Sequence, residues 1–182
     1  MSTSGLIAVI DDKLNKHNVD IDELNKKSFL NIYNHWASYP ETLGEDLNEL
    51  IHTDGFIHRR GDSSYLASAV ASWVIDRNKS EMKQGSDYKD TGIVPEIKLD
   101  TFIEFVYIVN LKEHNVRCYS VYCKNFELVN KLITLLNENE NVSNAINLSA
   151  LYCLKFVCEY EFGTTTSGEN KPFSVGLIRE EE

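Results

Sequence analysis

The sequence predicts an α+β fold: an N-terminal helical part, followed by an antiparallel sheet in β-β-α-β-β order with one covering helix. Three observations predict it. Up to residue 77 the apolar residues recur at helical spacing. Beyond residue 96 they alternate, as in strands with one covered face and one wetter face. Between the two textures, residues 78–95 form a polar, glycine-containing run that reads as a loop or linker. The implied organisation is a helical subdomain at 1–77, a linker at 78–95 and an antiparallel α+β subdomain at 96–182. A chain of 182 residues can also hold all of this in one compact domain.

The elements follow in order. In STSGLIAVIDDKLNKHN, Leu6, Ile7, Ile10 and Leu14 fall on one helical stripe, and a serine or threonine can cap its start. In DIDELNKKSFLNIYNHWASYP, Asp20 or Asp22 can cap a second helix with Leu24, Phe29, Ile32, Tyr33 and Trp36 inward, ended by Pro40. ETLGEDLNELI reads as a short helix with Leu43, Leu47, Leu50 and Ile51 inward and its acids outward. SSYLASAVASWVIDRNK is the strongest helical pattern, with Asp62, Ser63 or Ser64 as N-cap. TFIEFVYIVNL and VRCYSVYC alternate around the turn KEHN and read as a hairpin. NFELVNKLITLLNENEN is an amphipathic helix capped by Asn125, with Phe126, Val129, Leu132, Ile133 and Leu136 as its buried stripe. ALYCLKFVCEYEF reads as a long strand, with Tyr152, Leu154, Phe156, Cys158, Tyr160 and Phe162 facing one way, and PFSVGLI as a last strand.

Charge narrows the function classes. The net charge of −10 argues against a general nucleic-acid binder, which needs a basic face to displace counterions, and against docking on an anionic membrane. It suits a basic protein partner. No stretch approaches the roughly 20 apolar residues of a membrane span. The start, MSTSGLIAVIDDKLNK, lacks the basic region of a signal peptide. Cys118, Cys123, Cys153 and Cys158 sit in apolar runs without a finger-like histidine arrangement, so they read as reduced structural thiols in a cytoplasmic protein.

The stretch HTDGFIHRRGDSS, residues 52–64, concentrates polar chemistry. His52, Asp54, His58 and Asp62 are metal-ligand types, but their spacing matches no motif with known mechanics. Arg59 and Arg60 can clamp a phosphate with a histidine as acid or base, which makes an enzyme acting on a phosphate-bearing substrate through the His52–Asp62 loop one alternative. The third reading is a joint between helices: glycines for backbone freedom, Asp62 for a cap, and Arg59 and Arg60 paired with neighbouring acids. No nucleophile elbow and no phosphate-binding glycine loop is present.

The run ETLGEDLNELIHTD carries Glu41, Glu45, Asp46, Glu49 and Asp54 without a Lys or Arg. The expected function is therefore a non-enzymatic acidic protein-binding module. Richness in asparagine and lysine fits an AT-rich coding sequence of the phage or mobile-element kind. The sharpest form of the expectation is an inhibitor that occupies the basic nucleic-acid groove of a host enzyme or effector. Its contacts would be Glu41, Glu45, Asp46, Glu49 and Asp54, with Arg59 and Arg60 as anchors. No cofactor, metal, membrane or direct nucleic-acid contact is expected. A further alternative is an oligomeric assembly subunit, such as a homodimer, built on the sheet.

Overall fold

The computed structural model describes residues 3–35, 37–51, 53, 56, 58–59, 61–81, 91–113, 115–138 and 148–161. Within them the chain is a mixed α+β fold with several helices and one six-stranded sheet. The order is β1 (Ser4–Ile10), α1 (Ile21–Lys27), β2 (Ser28–Asn34), a π-helical turn (Pro40–Gly44) running into α2 (Glu45–Ile51), and α3 (Ser63–Glu81). Then come β3 (Thr91–Ile93), β4 (Ile103–Asn110), β5 (Asn115–Cys123), α4 (Phe126–Glu138), a 3-10 turn (Leu148–Leu151) and β6 (Tyr152–Glu161). The strands lie in the order β3-β2-β1-β4-β5-β6, so strands from both halves of the sequence share one sheet.

This corrects the expected order of helices followed by β-β-α-β-β. The first expected helix is instead β1, and the second divides into α1 and β2. β1 pairs antiparallel with β2 but parallel with β4, so the sheet is mixed. The physical reason is burial on both sides. Leu6 to Ile10 are all at most 3% exposed. A strand covered on both faces reads as a continuous apolar run, and such a run also fits a helical stripe. In place of one covering helix, both faces are covered. Ile7 and Val9 face a core shared with Leu47 and Ile51 of α2 and with Leu66, Val70 and Val74 of α3. Leu6, Ala8 and Ile10 face a second core with Leu24 of α1 and Val129 of α4.

The run expected as a loop at 78–95 also changes. α3 continues to Glu81, and Thr91–Ile93 adds β3 to the edge of β2. PFSVGLI lies outside the described residues. The hairpin, α4 and β6 form where expected, but Phe126 of the expected buried stripe is exposed and the expected single face of β6 is split; three caps are as expected. Asp20 accepts from the Glu23 amide (2.9 Å), Asp62 from Tyr65 (3.0 Å) and Asn125 from Leu128 (3.0 Å).

Two bulges shift which face the side chains meet. Ser4 pairs with Ile103 and Gly5 with Phe105, leaving Glu104 out of the β1 ladder. Cys118 pairs with Cys158 and Tyr119 with Phe156, leaving Val157 out. Tyr152 and Leu154 therefore face the α1/α4 side, whereas Cys158 and Tyr160 face the α2/α3 side.

Tyrosine hydroxyls tie the corner before α2 to the sheet. Tyr107 donates to the Ser38 carbonyl (2.7 Å) and Tyr160 to the Pro40 carbonyl (2.9 Å). Gly44 lies against the same rings: a Cβ there would sit 2.7 Å from the Tyr160 hydroxyl and 3.2 Å from Tyr107. Both rings are fixed by hydrogen bonds and burial, so Gly44→Ala is expected to cost about 1–3 kcal/mol by overpacking. Urea unfolding should show a lower midpoint with an unchanged slope. An unmoved midpoint would refute the packing described for this corner.

Candidate functional site

α2 is amphipathic and its burial is one-sided. Leu47, Leu50 and Ile51 enter the core, while Glu45 and Glu49 are exposed, as is Glu41 in the preceding turn. The three glutamates stand four residues apart, which repeats a helix face about every 6 Å along the axis. Asp46 differs: it is half-buried and its Oδ2 accepts from Arg77 Nε of α3 at 2.6 Å. The sequence-derived set thus separates into an outward row, Glu41, Glu45 and Glu49, and a packing tie, Asp46. Asp54, Arg60 and His52 lie outside the described residues.

The connector from α2 to α3 is wound by successive short turns. The amides of Thr53, Phe56, Arg59 and Asp62 donate to the carbonyls of Leu50, Thr53, Phe56 and Arg59. Phe56 enters the core, and Gly61 takes a φ of 94°, where a side chain would be strained. Arg59 does not pair with the acids of α2. Its guanidinium lies 4.5 Å from the centre of the Tyr65 ring, a cation–π contact at the start of α3. His58 is exposed beside it.

Two other polar clusters escaped sequence reasoning because each is completed by a residue distant in sequence, Ser4 in one and Glu159 in the other. In the first, Tyr33 and Ser4 both approach His35 Nδ1, at 2.8 and 3.3 Å. Both hydroxyls address the same ring nitrogen, whereas a nucleophilic triad meets its nucleophile with one imidazole nitrogen and is oriented through the other.

In the second, Arg117 is buried between Glu113 (2.8 Å) and Glu159 (3.0 Å), and Lys16 meets Glu159 at 3.1 Å. Arg117 also donates to the Leu14 carbonyl (3.0 Å). This network straps the segment after β1 onto β5 and β6. Burial opposes ionisation of Glu159, but the hydrogen bonds and charges of Arg117 and Lys16 outweigh it and hold the carboxyl below its ordinary value of 4.5.

The four cysteines form two environments. Cys118 and Cys158 face each other across β5 and β6 with no exposure, and burial pushes the Cys118 thiol up. Cys123 and Cys153 are half-buried at the far ends of the same strands. Among the described residues, no three His, Cys, Asp or Glu converge as metal ligands, and no helix is long and apolar enough to cross a membrane.

No protein-family model matches this chain, and no curated protein or solved structure matches it at a significant level.

Two outcomes check this geometry. A carboxyl with a depressed folded-state pKa stabilises above its unfolded value and loses that contribution as pH falls through the folded value. Stability should therefore fall as pH drops below 4.5, and Glu159→Gln should flatten that part of the profile while lowering stability at neutral pH. A Glu159→Gln profile parallel to the parent would contradict the strap. In the native protein an aqueous disulfide reagent should modify Cys123 and Cys153 quickly and leave Cys118 and Cys158 unmodified until denaturant is added. Rapid modification of all four would contradict the buried pair.

Proposed function

We propose that this chain is a non-enzymatic, acidic protein-binding module working in a reducing compartment, and that its partner presents a basic, nucleic-acid-binding groove. The observation that carries the reading is the outward row Glu41, Glu45 and Glu49. The helix beneath it is anchored by Leu47, Leu50 and Ile51 in the core and by the Asp46–Arg77 pair. Glu45 and Glu49 have no ion pair among the described residues. The row belongs to a chain of net charge −10, so a basic groove is attracted at long range before contact is made. A rigid helix is a better scaffold for such a row than a loop, because little side-chain placement is lost on docking. In this reading Arg59, held on Tyr65, sits at the margin of the interface. Like charge makes the row a poor surface for self-association.

The test is capture from a lysate of the native host at low and high salt. The tagged full chain should retain a basic, nucleic-acid-handling protein that added salt releases. The triple reversal Glu41→Lys, Glu45→Lys, Glu49→Lys should retain it about tenfold less at low salt, because close charge pairs across an interface govern encounter and salt dependence. All three positions are exposed, so the variant should keep its helical content. Equal capture by the reversed protein would overturn the proposal.

A further inference from the structure

At the end of the sheet where β4 begins and β5 ends, a cavity of about 380 Å³ opens. Its walls are apolar: Ile103, Phe105, Val121 and Phe126. Among the described residues its charged lining consists of Asp100 and Glu104, with no Lys or Arg. Lys124 and Lys155, near in the fold, line no part of it.

Three features set this place apart. The first is exposed aromatic surface. Phe126 is 66% exposed at the rim, and Phe102, between the lining residues Thr101 and Ile103, is 74% exposed. Apolar surface gathered around a concavity with polar margins is the mark of an interaction site, whereas single exposed apolar residues are ordinary.

The second is Tyr152, which lines the same cavity and is 6% exposed. Its hydroxyl has no hydrogen-bond partner among the described residues. The other deeply buried tyrosines do: Tyr107, Tyr119 and Tyr160 each donate to a backbone carbonyl. A buried hydroxyl without a partner is costly, and this one is closed to solvent, so a ligand completes it only by displacing the lining that covers it.

The third is the placement of charge. The bulge beside Gly5 leaves Glu104 out of the ladder and exposed at the rim. Asp100 is held in place by accepting from the amides of Phe102 (2.7 Å) and Ile103 (3.2 Å).

The geometry points to this cavity as the seat of an apolar side chain from a protein partner, flanked in that partner by Lys or Arg residues that reach Asp100 and Glu104. The acids select the occupant. A second copy of this chain would bring the same carboxylates together, and a small apolar molecule would leave both the charges and the outer rings uncovered. A basic segment with one apolar anchor satisfies the walls, the rim and the tyrosine at once. The inference rests on the proposed function only in taking the partner to be a basic protein, since none of its residues belongs to α2. Phe105 joins the two regions, lining the cavity and meeting the Tyr39 ring edge-on at 6.1 Å just before the acidic turn.

The test uses the full chain as bait for a random library of twelve-residue peptides. The selected peptides are then measured by fluorescence anisotropy. They should carry an aliphatic or aromatic residue beside Lys or Arg. Binding should weaken about tenfold on Glu104→Lys and on Phe126→Asp, both exposed positions whose exchange leaves the fold intact. Tyr152→Phe should bind more weakly while melting no lower than the parent, because it removes an unpartnered hydroxyl. The α2 triple reversal should bind these peptides as the parent does, so loss of lysate capture without loss of peptide binding separates a failure of the α2 reading from a failure at the cavity. Selection of no peptide, of acidic peptides, or of peptides indifferent to Glu104→Lys and Phe126→Asp would overturn the inference. Undiminished binding after the peptides' Lys and Arg are replaced by Gln would overturn it as well.

Discussion

The parallel pairing of β1 with β4 is the constraint from which the rest of this structure follows. β1 is seven residues long, buried throughout, and flanked on both sides by hydrogen-bonded strands. A parallel pair cannot be joined by a tight turn, so the chain must cross over before β4. That crossover, residues 11–102, carries α1, β2, α2, α3 and β3. Because β1 is apolar on both faces, each face needs its own cover. α2 and α3 supply one, and α1 and α4 the other. Fully burying each such Leu, Ile or Val side chain contributes about 1.5–3 kcal/mol, and the crossover is held by contacts of this kind. The outward row on α2 is thus a consequence of the core: the helix can present Glu45 and Glu49 because Leu47, Leu50 and Ile51 have a sheet to lie on.

Polar groups inside the fold are used as ties. Tyr107 and Tyr160 reach from the sheet to the carbonyls of Ser38 and Pro40, which fixes the corner where α2 begins. Arg117, with Glu113 and Glu159, closes the segment after β1 over the other face. These groups satisfy one another, which is why the buried Arg117 cluster reads as architecture. Tyr152 departs from that pattern, and it does so where the sheet end is open and the rings around it face water.

How much was legible in the sequence follows from where the signals are local. The caps at Asp20, Asp62 and Asn125, the hairpin and the one-sided burial of α2 depend on neighbours in the chain, and each was readable. β1 was not, because Leu6, Ile7, Ile10 and Leu14 satisfy a helical stripe and a buried strand equally well. In β2, Phe29, Ile32 and Tyr33 mimicked a stripe, although Asn31 and Asn34 and the aromatic, β-branched content already weakened a helix there. In α4, the expected stripe included Phe126, which the structure leaves exposed at the cavity rim. For the site, the acids of α2 could be read as a helix face, but the tie between Asp46 and Arg77 spans 31 residues and has no local signature. The cavity could not be read at all. It joins residues near 100, 120 and 152, and two bulges decide which side chains meet there.

Amide hydrogen exchange of the full chain, alone and with the basic protein it captures, tests the account most directly. β1 amides should exchange slowest in both states, and the partner should add protection over 41–51 and over 100–105 with 120–128. Added protection confined to the connector around His58 and Arg59, with α2 and the cavity rim unchanged, would contradict the account.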